Sequence, residues 1–374
     1  MNGPHYLAAR KIAPRLAEHF ARHAAAGARG SAEGTPPPDA GAIEALIDAA
    51  FWASLQREEG APPEISLAFL PPAKAARPLM LAAPLPLGPR ALARLAPAVE
   101  RPGIHLGIWR NGDGLSVWGT LRDIPTFSFV LEVVEPGLLV VKHRRSEAGK
   151  FVNVVVLEGD RIKIVDEGAS GLPDCPALLT SLLGFRAPAS RDEGVNALVE
   201  LAVSMRAHGR GGSLLVVPAG TTAWRESILQ PVVYGVVPYT ELADLMREER
   251  RHDREWEDAL DRAIDALAGL TAVDGATVMT DRYDLLAFGA KIGRRDGLPR
   301  IQEVIVTEPI EGTTAATVHP AELGGTRHLS AAQFAQDQQD ALALVASQDG
   351  RFTLFAWSGC EQMVHAHRVE SLLL

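Results

Sequence analysis

The chain has 374 residues, a formal net charge of −9 and a hydrophobic fraction of 47%. This length predicts two or three domains, and the apolar fraction is ample for buried cores. The acidic balance excludes a non-specific nucleic-acid binder, which would carry a basic field, so DNA and RNA are not expected partners.

The cysteine content and the length of the apolar runs indicate the cellular compartment to expect. The chain contains two cysteines, Cys175 and Cys360, which excludes a disulfide framework and a multi-cysteine zinc motif. No stretch approaches ~18 consecutive apolar residues, and the N-terminus has no apolar run of signal-peptide length. We therefore expect no membrane span and a cytoplasmic protein.

Residues 1–100 are predicted to form a mainly helical region. Apolar residues recur at helical spacing in 5–26, where Pro14 interrupts the pattern, and again in 40–58. A flexible Gly/Pro segment at 27–40 separates the two stretches. The remaining expectations are a strand at 65–70, a proline-punctuated stretch at 71–89 and a helix at 90–99.

Residues 101–187 are predicted to be rich in antiparallel strands. Asn111–Gly114 supplies the turn of a hairpin over 104–121. Basic residues cluster between Lys142 and Lys150, and they form either a solvated hairpin end or an anion-facing rim. Further elements are expected in this region: strands at 128–135, 138–143, 151–158 and 161–165, and a helix at 172–183.

Residues 190–374 mix helices with a sheet. A continuous apolar run, Ser213–Val217, predicts a buried strand, and 272–291 predicts a hairpin. Charges alternate at three- and four-residue spacing over 239–270, which is typical of a solvent-facing helix or helix pair. The other expected elements are helices at 195–208 and 330–337 and strands at 231–237, 301–307, 340–347 and 351–357.

The order of these elements predicts the fold class. We expect an α/β (α+β) protein with a C-terminal mixed sheet flanked by helices. A smaller α+β domain that contains an antiparallel sheet is expected to precede it.

The stretch GGTRHLS, Gly324–Ser330, concentrates phosphate-binding chemistry. Its two glycines permit close approach of the backbone to a ligand. Thr326 can donate a hydrogen bond, Arg327 can grip a phosphate with two parallel hydrogen bonds, and His328 can donate or accept. The sequence therefore predicts an anion-binding site at this stretch.

A second motif, Asp274-Gly275-Ala276, lies upstream and leads into an apolar run. The two motifs, DGA and GTRH, occur in this order between apolar strands that read GGSLLVV and DALALV. In this arrangement residues 190–360 resemble the diadenylate cyclase domain. The resemblance implies a nucleotide-binding fold that, in active members, makes cyclic di-AMP from two ATP molecules.

The resemblance also implies roles for individual residues. Asp274 would hold a Mg²⁺ or Mn²⁺ ion or receive the proton of the attacking hydroxyl. Gly275 would let the backbone approach the ligand. The other residues assigned to the nucleotide pocket are Ala276, Gly325, Thr326, Arg327, His328 and Ser347. Because active members work with two facing domains, the resemblance implies a homo-oligomer.

Three departures from the family pattern weaken the case for turnover. Leu329 stands where the family has a second arginine, and loss of one charged hydrogen bond costs ~1.5–3 kcal/mol. Gln348 stands where the family has a glutamate, although the neighbouring Asp349 can substitute for it. An insertion at 294–323 also lengthens the gap between the two motifs.

The chain looks most like the DACNV-type branch of probable sensors. That resemblance implies an adenine nucleotide or a cyclic dinucleotide as ligand and an effector protein as partner. The alternatives are an active diadenylate cyclase and a scaffold with a vestigial pocket.

Several of these residues also have simpler interpretations. Asp274 can cap a turn, because Asp-Gly is a common turn dipeptide, and Ser347 can merely end a strand. His365 and His367 alternate onto one strand face, but no third ligand is evident in the sequence. We therefore favour a surface strand over a metal pair at these two histidines.

Overall fold

The computed structural model describes residues 5–27, 36–57, 60–76, 78–112, 114–144, 151–166, 197–232, 234–248 and 254–374. The chain divides into two compact units, which are Met1–Val165 with Leu374, and Asp166–Leu373. The predicted helix at 172–183 and the predicted boundary at 187–190 lie outside the described residues.

The described residues of the N-terminal unit form three α-helices. They are α1 (Leu7–Gly27), α2 (Ala40–Ser54) and α3 (Pro89–Leu95). Helix α1 continues through Pro14 without a break. Helix α2 begins where the side chain of Asp39 accepts a 2.8 Å hydrogen bond from the backbone N–H of Ala42, which caps the helix.

Eight strands form the sheet of this unit. They are β1 (Ile65–Phe69), β2 (Leu79–Pro86), β3 (His105–Asn111), β4 (Gly114–Leu121), β5 (Val130–Glu135), β6 (Leu138–Arg144), β7 (Phe151–Glu158) and β8 (Arg161–Ile164). Their order is β2-β4-β3-β1-β5-β6-β7-β8, so the sheet combines strands from both sides of residue 100. All pairs are antiparallel except β1 with β3.

Apolar side chains cover both faces of this sheet. Helices α1 and α2 pack on one face, where Leu16, Phe20 and Leu46 join a core that includes Leu67 and Leu131. Since side chains alternate along a strand, the intervening residues face the other way. They build a smaller cluster from Ala68, Leu70, Trp118, Leu121, Ile124 and Val130.

The C-terminal unit has four helices among its described residues. They are α4 (Ala197–Ala207), α5 (Glu241–Arg247), α6 (Arg254–Thr271) and α7 (Thr326–Asp337). The predicted charged helix therefore forms two helices, α5 and α6. Helix α7 begins four residues before the predicted start, so Thr326, Arg327 and His328 form its first turn instead of a loop.

Nine strands form the sheet of the C-terminal unit. They are β9 (Gly212–Val217), β10 (Tyr234–Tyr239), β11 (Ala276–Thr280), β12 (Leu285–Ala290), β13 (Val304–Thr307), β14 (Ala316–Val318), β15 (Leu342–Ala346), β16 (Phe352–Ser358) and β17 (Met363–Arg368). Their order is β10-β12-β11-β9-β15-β16-β17-β13-β14. The pairs β9–β11 and β13–β17 are parallel and the others antiparallel, so the sheet is mixed.

Helices cover both faces of this second sheet. On one face, α7 buries Ala331 and Phe334 against Leu215 and Val217 of β9. Leu214 and Val216 alternate to the opposite face, where α6 packs against β9, β11 and β12. The predicted fold class, a mixed sheet flanked by helices after a smaller α+β unit, is confirmed. None of the described helices combines the length and the apolar character that crossing a bilayer would require.

Candidate functional site

The strand register brings both motifs to one edge of the C-terminal sheet. Thr277 of β11 lies opposite Leu214 of β9, and Ala346 of β15 lies opposite Gly212. The start of β11, the start of β9 and the end of β15 therefore meet. Asp274 and Gly275 immediately precede β11, and Ser347 immediately follows β15, so they share this edge, which we call the motif edge.

Arg327 of α7 lies over the motif edge. A Cβ atom built on Gly211 would be 3.0 Å from Arg327 Nη1 and 3.2 Å from the carbonyl oxygen of Ala346. The same atom would be 3.4 Å from Cγ of Gln348. Gly211 has a φ of +71°, in the left-handed region that favours glycine, and its missing side chain leaves room for the guanidinium.

Asp274 presents an exposed carboxylate at the same edge. Its side chain is 90% exposed, and its Oδ2 lies 2.5 Å from Nζ of Lys291. The hydrogen bond and the charge of Lys291 lower the pKa of Asp274, and the positive charge of Arg327 adds to the effect. The two predicted charges, on Asp274 and Arg327, are thus close enough to interact.

Gly275 and Ala276 have structural roles that do not involve a ligand. Gly275 has a φ of +116°, and a Cβ there would lie 2.4 Å from the carbonyl carbon of Gly289. The hairpin of β11 and β12 therefore requires glycine at this position. Ala276 is 1% exposed and belongs to the core beneath α7. Their predicted contacts with a nucleotide stay predictions.

His328 lies beneath the surface that Arg327 occupies. It is 2% exposed, and its ring meets Phe355 edge to face at a centroid distance of 6.1 Å. Burial lowers its pKa, which favours the neutral imidazole. Its Nε2 has no hydrogen-bond partner among the described residues. The structure therefore separates His328 from the exposed groups with which the sequence grouped it.

The first residues of α7 are open to solvent. Gly325 precedes the helix without a side-chain cap, and Gly325 and Thr326 are exposed. A Cβ on Gly325 would meet nothing within 4 Å. Helix N-termini carry a partial positive charge and unsatisfied N–H groups, so this end can receive an anion.

The turn after β15 completes the motif edge. Ser347 is half-buried, its backbone N–H donates to Arg351 at 2.9 Å, and its carbonyl accepts from Gly350 at 3.3 Å. Gln348 is exposed, and its Nε2 donates to the backbone oxygen of Arg210 at 3.3 Å. The turn thus places the amide of Gln348 next to Arg327, whereas the carboxylate of Asp349 pairs with Arg351 at 3.3 Å.

Sequence reasoning missed Lys291 and Gly211. Lys291 follows β12, and the pairing of Ala276 with Ala290 brings it beside Asp274. The register shifts at Val278 and again before Met279, so counting residues from the turn would not have predicted that proximity. Gly211 lies in the Gly-Arg-Gly-Gly stretch that follows α4, and its contact with Arg327 depends on tertiary packing.

A cleft of about 920 Å³ lies at the opposite end of β9 from the motif edge. It is lined by Val217, Trp224, Arg300 and Trp357, together with the last residues of α7. None of the predicted site residues lines it. The cleft is therefore a second surface of the same unit, and ligand-mapping experiments have to distinguish it from the motif edge.

The interpretation of His365 and His367 as a surface strand is wrong for His367. Strand β17 lies inside the sheet, between β16 and β13, and His367 is 2% exposed. Its Nδ1 lies 2.7 Å from Oγ1 of Thr307, and burial lowers its pKa to about 4. The sheet order, which periodicity does not reveal, explains the difference.

Comparison with known proteins gives a family match over part of the chain and a match to a solved structure. The family model described as "Probable sensor domain DACNV" matches residues 32–122, so the predicted resemblance to the DACNV branch is confirmed for that segment. This match lies in the N-terminal unit, whereas the diadenylate cyclase resemblance was drawn on residues 190–360. No curated protein matches the chain.

Among solved structures, the chain matches a double mutant of DacA from Staphylococcus aureus. The sequence identity is 11%, the match covers 46% of this chain and 83% of that one, and the TM-score is 0.24. An overlap this loose supports no conclusion about function.

Proposed function

We propose that this chain, in which residues 32–122 match the DACNV probable sensor domain, senses an adenine nucleotide or a cyclic dinucleotide through its C-terminal unit. The observation that carries the proposal is the convergence of Asp274, Lys291 and Arg327 on one exposed edge. In this proposal the N-terminal unit, which contains the DACNV match, passes the signal to an effector protein.

Phosphate groups are the part of a nucleotide that this edge would recognise. Arg327 supplies a planar cation that can bind phosphate with two hydrogen bonds. The uncapped start of α7 supplies N–H groups beside it. Lys291 adds a second cation, which Asp274 partly neutralises. Gly325 and Thr326, both exposed, would line the approach of the ligand, with Ser347 at the side.

A divalent metal ion fits this site as a companion of the ligand. Asp274 offers one exposed carboxylate, and Mg²⁺ is commonly held by one or two carboxylates together with phosphates and water. The described residues form no cluster of three metal ligands around Asp274. Asp274 would therefore hold Mg²⁺ or Mn²⁺ when a nucleotide is present, and the ion would neutralise phosphate charge.

The residues around Arg327 favour sensing over turnover. Leu329 is partly buried and packs against the core beneath α7, so that position brings no cation to the edge. Gln348 brings an amide where a carboxylate would better serve a metal ion. Joining two nucleotides depends on neutralising phosphate charge and on positioning the reacting groups. Leu329 and Gln348 supply neither a cation for the phosphates nor a carboxylate for a metal ion.

Calorimetry with the pure full-length chain tests the binding proposal. ATP and cyclic di-AMP are titrated separately with Mg²⁺ present. We expect saturable binding of at least one of them. No binding of either at millimolar concentration would contradict the sensor proposal and favour a scaffold with a vestigial pocket.

Turnover is tested by incubating the chain with ATP and Mn²⁺ and searching for cyclic di-AMP. We expect little or none. Product that forms with the wild type and disappears with Asp274→Asn would establish the alternative, an active diadenylate cyclase, for which a homo-oligomer would then be expected.

A further inference from the structure

We propose that the N-terminal unit contains a binding site for a divalent transition-metal ion, formed by His19, His23 and His143. One nitrogen from each ring lies within 4.8 Å of the other two. The site is independent of the proposed nucleotide function. None of the three residues lies in the segment 32–122 that matches the DACNV model.

The secondary structure explains why the three rings meet. His19 and His23 are four residues apart on α1, so they lie on the same face of the helix one turn apart. This is the spacing with which helical histidine pairs bind zinc. His143 projects from β6 of the sheet on which α1 packs, and it is fully buried. Two half-buried ligands and one buried ligand thus come from two fixed elements.

The ring positions are close to those that a metal ion requires. Centroids of His19 and His23 are 4.5 Å apart, and the centroid of His143 is 5.4 and 5.3 Å from them. Ligand nitrogens around one tetrahedral Zn²⁺ lie about 3.3 Å apart, given Zn–N distances of about 2.0–2.1 Å. Side-chain rotations that bring the nitrogens together by up to about 1.5 Å would therefore complete the site.

Aromatic rings flank the cluster, and the two cations that adjoin His143 on β6 face away from it. His23 stacks on Phe127 at 4.9 Å, and Phe20 meets His143 edge to face. Lys142 and Arg144 alternate to the other face of β6. There, Lys142 pairs with Glu132, and Arg144 donates to the carbonyl of Ile124 at 2.7 Å.

The ligand set indicates the class of metal. Three neutral imidazoles suit Zn²⁺, Cu²⁺, Ni²⁺ or Co²⁺ better than Mg²⁺ or Ca²⁺, which prefer oxygen ligands. Three protein ligands leave a fourth tetrahedral position for water or another small ligand. The inference stops at binding, and it assigns no reaction to the metal.

Cobalt titration of the full-length chain tests the site. The protein is prepared without a histidine tag, stripped with a chelator, and titrated with Co²⁺ while visible absorption is recorded. We expect one tightly bound Co²⁺ per chain, the absorption of a tetrahedral complex, and displacement by Zn²⁺. His19→Gln and His23→Gln should each weaken Co²⁺ binding at least ~10-fold. The matched control is His5→Gln, which changes an exposed histidine of the same unit and should leave binding unchanged.

Two results would overturn the proposal. One is the absence of stoichiometric Co²⁺ binding to the wild type. The other is unchanged affinity in both His19→Gln and His23→Gln, which would place the metal elsewhere. Both replaced residues are half-buried, so these variants test the site even if replacement of the buried His143 prevents folding.

Discussion

Arg327 and His328 are neighbours in sequence but have different environments. Successive residues of a helix point about 100° apart, so the first turn of α7 directs Arg327 to the motif edge and His328 into the core. The sequence identified both as candidate ligands because their side-chain chemistry suits phosphate. The motif was predicted to be a loop, and a loop has no regular period from which opposite side-chain directions could be inferred. The different environments of Arg327 and His328 were therefore not predicted.

The first prediction concerns Arg327. Arg327→Ala should weaken nucleotide binding by roughly 10- to 100-fold, the equivalent of a charged hydrogen bond of ~1.5–3 kcal/mol. Arg300→Ala removes the same charge from the cleft at the other end of β9 and is the matched control. If calorimetry shows a larger loss of affinity in Arg300→Ala than in Arg327→Ala, the ligand binds in the cleft and the prediction is wrong.

The second prediction concerns His328. His328→Ala should lower the free energy of unfolding by at least about 2 kcal/mol, because it empties a buried position next to Phe355. Arg327→Ala should change it by less than about 0.5 kcal/mol, as is usual for surface substitutions. Urea denaturation of both variants measures the difference. Equal destabilisation would show that Arg327 is itself a structural residue.

At the scale of elements, strands and helices with strong periodicity were predicted well. The hairpin over 104–121 forms as β3 and β4, and the apolar run at 213–217 forms the buried strand β9. Strand β2 was not predicted, because Pro84 and Pro86 interrupt its pattern. It lies at the edge of the sheet with most of its residues exposed, a position where proline is tolerated.

The candidate site shows the limit of the same approach. The types of its charged residues could be assigned from motifs, and the motif edge does bring Asp274 and Arg327 together. The ion pair of Asp274 with Lys291, the burial of His328 and the contact of Arg327 with Gly211 depend on strand register and helix rotation. Those quantities are fixed by tertiary packing, which composition and periodicity do not encode.

The third prediction tests the β11–β12 hairpin. Gly275→Ala should destabilise the protein by about 2 kcal/mol or more, because the new Cβ would overlap the backbone of Gly289 and the φ of +116° disfavours any side chain. Gly269→Ala provides the contrast, since Gly269 is exposed in α6 with nothing within 4 Å of a Cβ. That variant should gain about 0.5–1 kcal/mol. Denaturation curves showing the two effects in the same direction would contradict this account of the hairpin.

The fourth prediction concerns the pH dependence of the unfolding free energy, to which His367 of β17 should contribute. Burial lowers the pKa of His367 to about 4, so the unfolded chain, with an ordinary histidine pKa near 6.5, binds the proton more readily. The stabilising effect is present above about pH 6.5 and is lost as the pH falls toward 4, by roughly 3 kcal/mol in total. His367→Asn should flatten the dependence of unfolding free energy on pH between 7 and 5. An unchanged slope, equal to that of His5→Asn, would contradict the prediction.

At the scale of the whole molecule, the observations that support the two proposals come from different units. The N-terminal unit contains the segment that matches the DACNV model and the proposed histidine metal site. The C-terminal unit contains the DGA and GTRH motifs and the motif edge on which the nucleotide proposal depends. The two proposed ligand sites thus lie in different units, which makes the two proposals separable by experiment.

The most direct test of the central claim is hydrogen exchange of the full-length chain with and without saturating ATP and Mg²⁺. We predict slower amide exchange at 274–276, 325–329 and 346–349, the three segments that meet at the motif edge. Protection confined to 217–224 and 295–303, which line the cleft at the other end of β9, would contradict the claim.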